Sequence, residues 1–463
     1  MKTKRRLALS AGLILALAAG WQGLHARISP SRVRTFSVGG VARGLAVDST
    51  ARRVYLALSV GNDQSGQLLL LDAATGARVR TLRLPGYPTA LLPDPDRARL
   101  VLGQSGGPDG RLLLLASRTG TAWRTIARGF DVSAVAIDHD LLAASGYPTV
   151  VPCTFGSVCP DPVPAVRLYD LRSGALLRSF PLREEAALLA VDARISRLVL
   201  LGTSSGGSAT CTVMDLRTGR VLRRLTLGPW AALLLDSATA HAFAAAAAAP
   251  MANAGSITML DAIRGTTLRA IRTAGAPGPM ALDTRRGRLF ALAPGPARKV
   301  VTAIGSEALV PTGGGRLYTI DVRSGSVLRV TTIGRNPSGL AVDDRSGHVF
   351  VATTGPLGLT TVRSGASASS DAWVADGGGT LAEVDGASGA IVDTVGVGVL
   401  PRLVAVDGTT GRVFVASDGG LVRTSDPWRW IPGWLRRHIP FVPPPPARSS
   451  EPPSLSTVAG SPS

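Results

Sequence analysis

The chain is poor in lysine, cysteine and histidine. Of its 50 Lys and Arg residues only Lys2, Lys4 and Lys299 are lysines, and there are 3 cysteines and 5 histidines in 463 residues. The histidines are scattered, which argues against a His-rich copper or zinc centre because such a centre needs several converging ligands. The sequence also lacks a P-loop, a GxSxG elbow and a dinucleotide-binding fingerprint in a strand–helix context.

The apolar stretch near the N-terminus is too short for an ordinary membrane-spanning helix, which needs roughly 20 residues. It covers residues 7–20 and follows the positive residues Lys2, Lys4, Arg5 and Arg6. This pattern predicts a signal peptide or an N-terminal membrane anchor over residues 1–26, and both alternatives stay open. In either case we expect the remaining chain to be exported: extracellular, periplasmic or anchored on the outer side of the cytoplasmic membrane.

What the chain does contain is an internal repeat. A short apolar run ends in Asp, and a turn then leads into a second apolar run, as in GLAVDDRSGHVFVA (339–352). The repeated aspartates are Asp48, Asp94, Asp138, Asp192, Asp236, Asp283, Asp343 and Asp407. A second module, LDAATG at 71–76, recurs between them. Each unit thus holds four runs of strand length with turns between them. The sequence predicts an all-β propeller of four-stranded antiparallel blades.

The two ends of this repeat complete one blade. Residues 33–40 have the pattern of the fourth strand of a blade, and the first three strands of that blade are missing before them. Residues 402–425 have the pattern of the first three strands of a blade, and no fourth strand follows them in the repeat. We therefore expect one propeller over residues 33–425 with eight blades, closed by an N-terminal strand that completes the last blade. The alternative has seven blades and requires the alanine-rich stretch 241–250 to be something else.

The repeat resembles the YVTN family of β-propellers, with the related NHL type as a second match. The resemblance rests on NPSGLAVDDRSGHVFVATTG (336–355) followed by TLAEVDGASGAIVDTVGVG (380–398). The resemblance implies the propeller fold but gives little information about function, because this family is a scaffold for many unrelated roles.

Two of the cysteines lie in one long insertion. Cys153 and Cys159 are six residues apart in the segment 146–166, which favours a local disulfide in an exported protein. Cys211 begins a predicted strand and is interpreted as a buried small residue.

Three long loops point to a functional surface. They cover residues 146–165, 292–314 and 354–378, and each connects the second and third strands of a blade. We therefore expect all three to lie on the same face of the disc that the blades form. Loops on a rigid scaffold often carry binding residues. The candidate ligand-contacting residues are Tyr147, Arg298, Lys299, Glu307, Asp371 and Trp373. The alternative is that these loops only cover the disc.

The repeated aspartates favour a structural role. Because they recur at the same turn, we expect them to accept hydrogen bonds from turn amides. No catalytic residue, metal ligand or cofactor site is predicted, although calcium held by carboxylates from separate blades stays an open alternative.

The formal net charge of +19 has two interpretations. One is attraction to an anionic partner. The other is a compositional bias, since Arg172, Arg217, Arg264 and Arg323 recur at equivalent turns. Predicted export argues against nucleic acid as the partner.

The C-terminal segment 426–463 differs from the repeats. It begins with tryptophans and arginines that suit either packing beneath the rim or contact with a membrane or partner; these are Trp428, Arg429, Trp430, Trp434, Arg436 and Arg437. After Pro440 the chain is rich in Pro and Ser and predicts a disordered tail.

These observations favour an exported, monomeric scaffold that binds an unknown protein or a surface polysaccharide. The competing hypothesis is an enzyme, either a lactonase-like hydrolase or a propeller subunit of a periplasmic dehydrogenase. Clustered carboxylates at the mouth of the central channel would favour the enzyme.

Overall fold

A computed structural model describes residues 33–60, 65–106, 110–148, 162–203, 208–229, 232–248, 254–301, 307–355, 357–364, 368–375, 378–417, 421–423 and 454–459. For some of these, including residues 33–37, only the backbone is described. The described residues form 37 strands and one short 3₁₀ helix, Pro95–Arg97.

The strands are numbered in chain order. They are β1 (Val33–Ser37), β2 (Val41–Asp48), β3 (Arg53–Val60), β4 (Ser65–Asp72), β5 (Arg78–Leu84), β6 (Tyr87–Asp94), β7 (Arg99–Ser105), β8 (Arg111–Ala116), β9 (Ala122–Arg128), β10 (Phe130–Asp138), β11 (Leu141–Pro148), β12 (Ala165–Asp170), β13 (Leu176–Pro181), β14 (Ala186–Asp192), β15 (Arg197–Thr203), β16 (Ala209–Asp215), β17 (Val221–Leu227), β18 (Ala232–Asp236) and β19 (His241–Ala247).

The second half continues this pattern. It contains β20 (Gly255–Asp261), β21 (Thr266–Thr273), β22 (Met280–Asp283), β23 (Arg288–Ala293), β24 (Ala297–Val301), β25 (Glu307–Pro311), β26 (Arg316–Asp321), β27 (Val327–Thr332), β28 (Pro337–Val342), β29 (His348–Thr353), β30 (Leu357–Ser364), β31 (Ala368–Ala375), β32 (Thr380–Asp385), β33 (Ile391–Gly396), β34 (Pro401–Asp407), β35 (Arg412–Ser417), β36 (Leu421–Arg423) and β37 (Ser454–Ala459).

The strands build a β-propeller, as predicted. Blades 1 to 5 take consecutive strands (β2–β5, β6–β9, β10–β13, β14–β17, β18–β21); blade 6 is β22-β23-β26-β27 and blade 7 is β28-β29-β32-β33. We call the four strands of a blade a to d, from the innermost outward. The a strands of successive blades contact one another around the ring. The alanine-rich stretch 241–250 includes β19, strand b of blade 5.

An eighth four-stranded sheet, the composite sheet, lies between blades 7 and 1. Its strand order is β34-β35-β37-β1, so it takes its outermost strand from the N-terminal end as predicted. Its third strand differs from the expectation. Residues 421–423 pair with β31 of the blade 7 insertion, and Ser454–Ala459, from the tail predicted to be disordered, pairs with both β35 and β1. Seven blades are thus continuous in sequence, and the composite sheet completes the ring.

The hydrophobic core lies between neighbouring blades. Between blades 1 and 2, Tyr55 and Leu70 pack with Leu100 and Leu102, and all four side chains are buried. The Tyr55 hydroxyl donates to the Ser117 carbonyl of blade 2 at 2.8 Å, and burial raises the pKa of Tyr55 to about 12. The core is therefore a series of inter-blade layers, as expected for an array in which each unit buries its faces against its neighbours.

The c–d turns explain the second sequence module. Asp72 Oδ1 accepts the amide N–H of Thr75 at 2.9 Å and its hydroxyl at 3.0 Å, and Gly76 then adopts φ 71°. Four equivalent turns use Asp170, Asp215, Asp321 and Asp385 in the same way. In a fifth, Asp261 accepts the amide of Arg264 and pairs with its guanidinium group instead of a hydroxyl. These local hydrogen bonds reverse the chain without help from distant residues.

Candidate ligand-binding face

The disc has two unlike faces. The a–b and c–d turns form one face, which we call the turn face, and the b–c and d–a connections form the other, which we call the loop face. All eight repeated aspartates lie on the turn face.

Six of these aspartates act as predicted. Each accepts a hydrogen bond from a backbone amide of its own a–b turn, for example Ala51 N–H to Asp48 Oδ1 at 2.8 Å and Arg286 N–H to Asp283 Oδ1 at 2.9 Å; the others are Asp192, Asp236, Asp343 and Asp407. The prediction is confirmed for these six. Their carboxylates are therefore committed to turn structure.

Two aspartates depart from this pattern. Asp94 precedes the 3₁₀ helix, pairs with Arg97 at 3.4 Å, and has its pKa raised by burial. Asp138 accepts the Ala193 N–H of the next blade at 2.6 Å, and its other oxygen contacts His139 Nδ1 at 2.6 Å. Both carboxylates thus have structural partners.

A repeated contact joins six of the eight neighbouring pairs of sheets on the turn face. The first residue of strand b reaches a backbone carbonyl in the c–d turn of the following blade, as in Arg53 Nε to Arg118 O and Arg197 Nε to Ile263 O, both at 3.1 Å. Four further boundaries have the same contact: Arg99 to Leu171, His241 to Val322, Arg288 to Gly386 and Arg412 to Ala73. The last contact joins the composite sheet to blade 1 and so closes the ring.

A second set of contacts links successive a–b turns. Arg286 donates to the Asp344 carbonyl at 3.0 Å, and Arg345 to the Thr409 carbonyl at 3.2 Å. Arg97 pairs with Asp140, and Arg194 donates to the Ser237 carbonyl. Several arginines of the a–b turns thus hold blades together. The recurrent c–d arginines have another role where a contact is seen, since Arg172 and Arg264 pair with Asp140 and Asp261 of their own blades.

The turn face contains a cleft of about 310 Å³ between strands of blades 5 and 6. Asp236, Asp283, Arg286 and Asp321 are among its lining residues. Asp283 and Asp321 already accept turn amides, and Arg286 pairs with Asp283 at 3.1 Å. These carboxylates and Arg286 therefore serve the turns.

The loop face is irregular. Two β-hairpins are inserted between strands b and c: β24–β25 in blade 6 and β30–β31 in blade 7. Strand β36, which follows the composite sheet's strand b, pairs with β31 and makes a three-stranded sheet. The connections of blades 6 and 7 thus project from the same face, as their lengths predicted, and β36, expected as a strand of the last blade, joins them. Most of the third predicted loop, residues 146–165, lies outside the described residues.

A ring of β-bulges surrounds the mouth of the central channel on the loop face. In six a strands one residue interrupts the pairing near the start of the strand; these residues are Arg43, Thr89, Ser133, Ala187, Ser338 and Arg402. Bulges re-aim side chains and recur beside functional sites. Sequence reasoning missed them, because the residue types at this position share no motif.

The mouth carries charges of both signs at different places on the ring. Arg43 and Arg402 come from adjacent units, blade 1 and the composite sheet, and Arg43 Nε donates to Ser59 Oγ at 3.0 Å. On blades 3 and 4, Asp131 Oδ1 accepts the Gly106 N–H at 3.0 Å, and the buried Glu185 accepts the Ser133 hydroxyl. The arrangement can orient a polar group that approaches the channel.

Half-buried aliphatic side chains also come from the innermost strands. Examples are Leu45, Leu91, Val135, Leu340 and Val404, each packed against an inter-blade cluster.

Within the part of the chain that is described, no three His, Cys, Asp or Glu side chains gather into a possible metal site. No helix among the described residues is long and apolar enough to cross a membrane.

The predicted ligand-contacting residues are divided among three insertions. Tyr147 ends strand b of blade 3, is buried, and has its pKa raised by that burial, with a smaller contribution from the charge of Glu185. Arg298 and Lys299 lie on β24 and Glu307 on β25, while Asp371 and Trp373 lie on β31. All six positions are on the loop-face side of their blades, and their role in ligand contact stays a prediction.

The remaining predicted sites lie elsewhere. Cys153, Cys159 and the Trp/Arg residues Trp428, Arg429, Trp430, Trp434, Arg436 and Arg437 are outside the described residues, as is the segment 1–26. Cys211 is a buried free cysteine on β16, as predicted, and burial raises the pKa of its thiol to about 12.

Two solved structures, the first two named below, support the fold. No protein-family model matches the chain, and no curated protein matches it. Among solved structures it is similar to the Dos1 propeller (12% identity, TM-score 0.53, 85% of this chain and 93% of that one). It is also similar to a europium-containing methanol dehydrogenase (12% identity, TM-score 0.51, 92% of this chain and 93% of that one). The Pan2 WD40 domain of Neurospora crassa has 11% identity and a TM-score of 0.46 over 70% of this chain and 93% of that one. At such identities the likeness concerns the fold alone.

Proposed function

We propose that the chain is an exported interaction scaffold whose partner binds the loop face. The main observation in support of this proposal is that β24–β25, β30–β31 and β36 all lie on one face of a rigid ring. The opposite face supports it by contrast, because its carboxylates and many of its arginines are engaged in turns and inter-blade contacts. The partner is a protein or a surface polysaccharide.

The proposal includes the Trp/Arg segment, which lies outside the described residues. Arg423 ends β36 on the loop-face hairpin sheet, and Trp428 follows five residues later. Five residues span at most about 17 Å, so a partner bound at this sheet is within reach of Trp428. In this proposal Trp428, Trp430 and Trp434 add to the partner-binding surface.

The repeats are of the YVTN type in this proposal. Two features support it: the aromatic residue in strand b, as in Phe350 and Phe414, and the Asp-to-Gly c–d turn at 385–389.

The loop-face assignment is tested by cross-linking in cells that express the full chain. One variant replaces Ala297–Pro311 with a two-residue turn and another does the same with Leu357–Ala375. The matched control changes Arg172, Arg217 and Arg264 of the turn face to Gln. We expect the cross-linked partner to be lost from a hairpin variant and retained by the control.

Two outcomes would contradict the proposal. One is an unchanged partner in both hairpin variants, and the other is hydrolysis of a lactone panel by the purified chain. Export is tested separately with a phosphatase fused after residue 463, so that β37 is kept, since this reporter is active only outside the cytoplasm. An inactive fusion would reject export while leaving the loop-face assignment open to its own test.

A further inference from the structure

The outer rim of the disc is strongly basic. Strands d of blades 1 to 6 contain no Asp or Glu and carry eleven arginines, all exposed; these are Arg78, Arg80, Arg83, Arg124, Arg128, Arg178, Arg223, Arg224, Arg269, Arg272 and Arg329. Blade 7 interrupts this pattern with Asp393 on its strand d. We call the set of eleven the rim arginines.

The rim differs from the turn face in charge balance. Seven turn-face arginines pair with carboxylates, for example Arg197 with Asp215 at 2.8 Å and Arg264 with Asp261 at 2.7 Å. Among the described residues, no rim arginine forms an ion pair with a carboxylate. Arg80 and Arg269 donate instead to carbonyls of the next blade, which leaves their charge uncompensated. The rim is therefore a band of positive charge without carboxylate partners.

Protection of sheet edges explains only part of this pattern. Charged side chains on edge strands prevent pairing with another chain. A mixture of both signs would do so equally well, and surfaces ordinarily intersperse the two. Positive charge alone, repeated over six successive blades, instead creates an electrostatic field that attracts anions. Guanidinium groups also bind carboxylate and phosphate through two parallel hydrogen bonds.

The shape of the rim indicates the class of anion. The rim is convex, so a flat bilayer would meet only one arc of it, whereas a linear polymer can follow several blades. Trp123 is the one exposed aromatic side chain on these six strands, and Arg99 already lies 4.0 Å over its ring. Single-stranded nucleic acid would require a series of stacking aromatics. Exposed Leu177, Val221 and Leu328 among the arginines offer apolar contacts to sugar rings instead.

We propose that the rim arginines of blades 1 to 6 bind an acidic polysaccharide. The polymer's carboxylates pair with guanidinium groups of successive strands d, and its length spans more than one blade. This surface is separate from the loop face, so either proposal can fail without the other.

The test measures binding of polygalacturonate to the full chain, with dextran as the neutral polymer and phosphatidylglycerol vesicles as the membrane surface. The rim variant changes Arg178, Arg224 and Arg272 to Gln; a second rim variant changes Arg78, Arg83 and Arg128. The control removes the same charge from the turn face through Arg172, Arg217 and Arg264 to Gln. We expect affinity for polygalacturonate to fall at least about tenfold in each rim variant and less than about twofold in the control.

Salt provides a second readout, because binding that displaces counterions weakens as ionic strength rises. The rim variants should show a smaller dependence of affinity on salt than the wild type. Absence of binding to polygalacturonate, equal losses in rim and control variants, or tighter binding to the vesicles than to the polymer would each overturn the proposal. Unfolding midpoints of all variants confirm that folded proteins are compared.

Discussion

At the scale of single residues, the turns depend on a few atoms in close contact. Gly219 in a c–d turn adopts φ 72°, and a Cβ atom there would lie 2.5 Å from Phe180 Cδ1 of the preceding blade. Glycine is required at this position both for its conformation and for the close approach. Equivalent glycines approach arginine side chains of the preceding blade, as Gly389 does Arg329.

Replacing Gly219 with Ala should therefore cost more than conformational strain. Gly287→Ala is the matched control, because Gly287 has φ 62° and a Cβ atom added there would meet nothing within 4 Å. We expect both variants to lose about 1–2 kcal/mol from the left-handed conformation, and Gly219→Ala a further 1–3 kcal/mol or so from the clash. Urea unfolding measures the difference, and equal midpoints would contradict the packing argument.

The turn aspartates predict how stability depends on pH. Hydrogen bonds from turn amides and hydroxyls lower the pKa of Asp72, Asp170, Asp215, Asp321 and Asp385. A carboxyl whose folded pKa lies below its unfolded value of about 3.9 stabilises the protein above that value. This contribution is lost as the pH falls through the folded pKa.

Unfolding midpoints should thus be nearly constant above about pH 5 and decline below about pH 4. Asp94 and Asp344 oppose the trend, because burial raises the pKa of each. Asp215→Asn keeps the acceptor oxygen and removes the titration, so it should reduce the decline. A midpoint that rises on acidification would show that the two buried carboxyls outweigh the turn aspartates.

At the scale of elements, blades are joined by side chains that reach across a boundary. Arg197 begins strand b of blade 4, pairs with Asp215 of its own blade at 2.8 Å, and donates to the Ile263 carbonyl of blade 5 at 3.1 Å. The guanidinium group makes these bonds simultaneously because its donors point in fixed, different directions.

Lysine cannot reproduce this geometry. We expect Arg197→Lys to lower the free energy of unfolding by about 1–2 kcal/mol, since an inter-blade hydrogen bond from a charged donor is lost. The control is Arg224→Lys on the exposed strand d of the same blade, which should stay within about 0.5 kcal/mol of the wild type. Equal stability of the two variants would mean that the inter-blade bond contributes little.

At the scale of the whole molecule, ring closure depends on segments far apart in sequence. The composite sheet joins β34 and β35 to β37 and β1, and Arg412 donates to the Ala73 carbonyl of blade 1 at 3.1 Å. Closing the ring covers sheet edges that would otherwise be open to other chains.

Truncation tests this closure. A chain ending at residue 453 lacks β37, so β1 and β35 lose their common partner. We expect a lower unfolding midpoint and faster amide exchange in β1 and β35 than in a control that ends at residue 459. Unchanged exchange would favour the closure expected from sequence, in which residues before 425 supply the third strand.

The sequence by itself determined the propeller, its repeating four-stranded unit and the face on which the long loops lie. It could do so because the turns are local: an Asp, a hydroxyl residue two or three positions later and a glycine reverse the chain by themselves, as at Asp72–Gly76. It also predicted correctly that most of the repeated aspartates accept turn amides and that Cys211 is buried.

Only the tertiary structure decided the third strand of the composite sheet, the contacts of Arg53 and Arg197 with the next blade, and the bulges at Arg43 and Arg402. The choice of Ser454–Ala459 over residues 421–423 is a competition between strands for the same edge, and apolar pattern alone does not resolve such a competition. The inter-blade contacts and bulges depend on how neighbouring sheets pack against each other, and packing is set by the closed ring rather than by any single repeat.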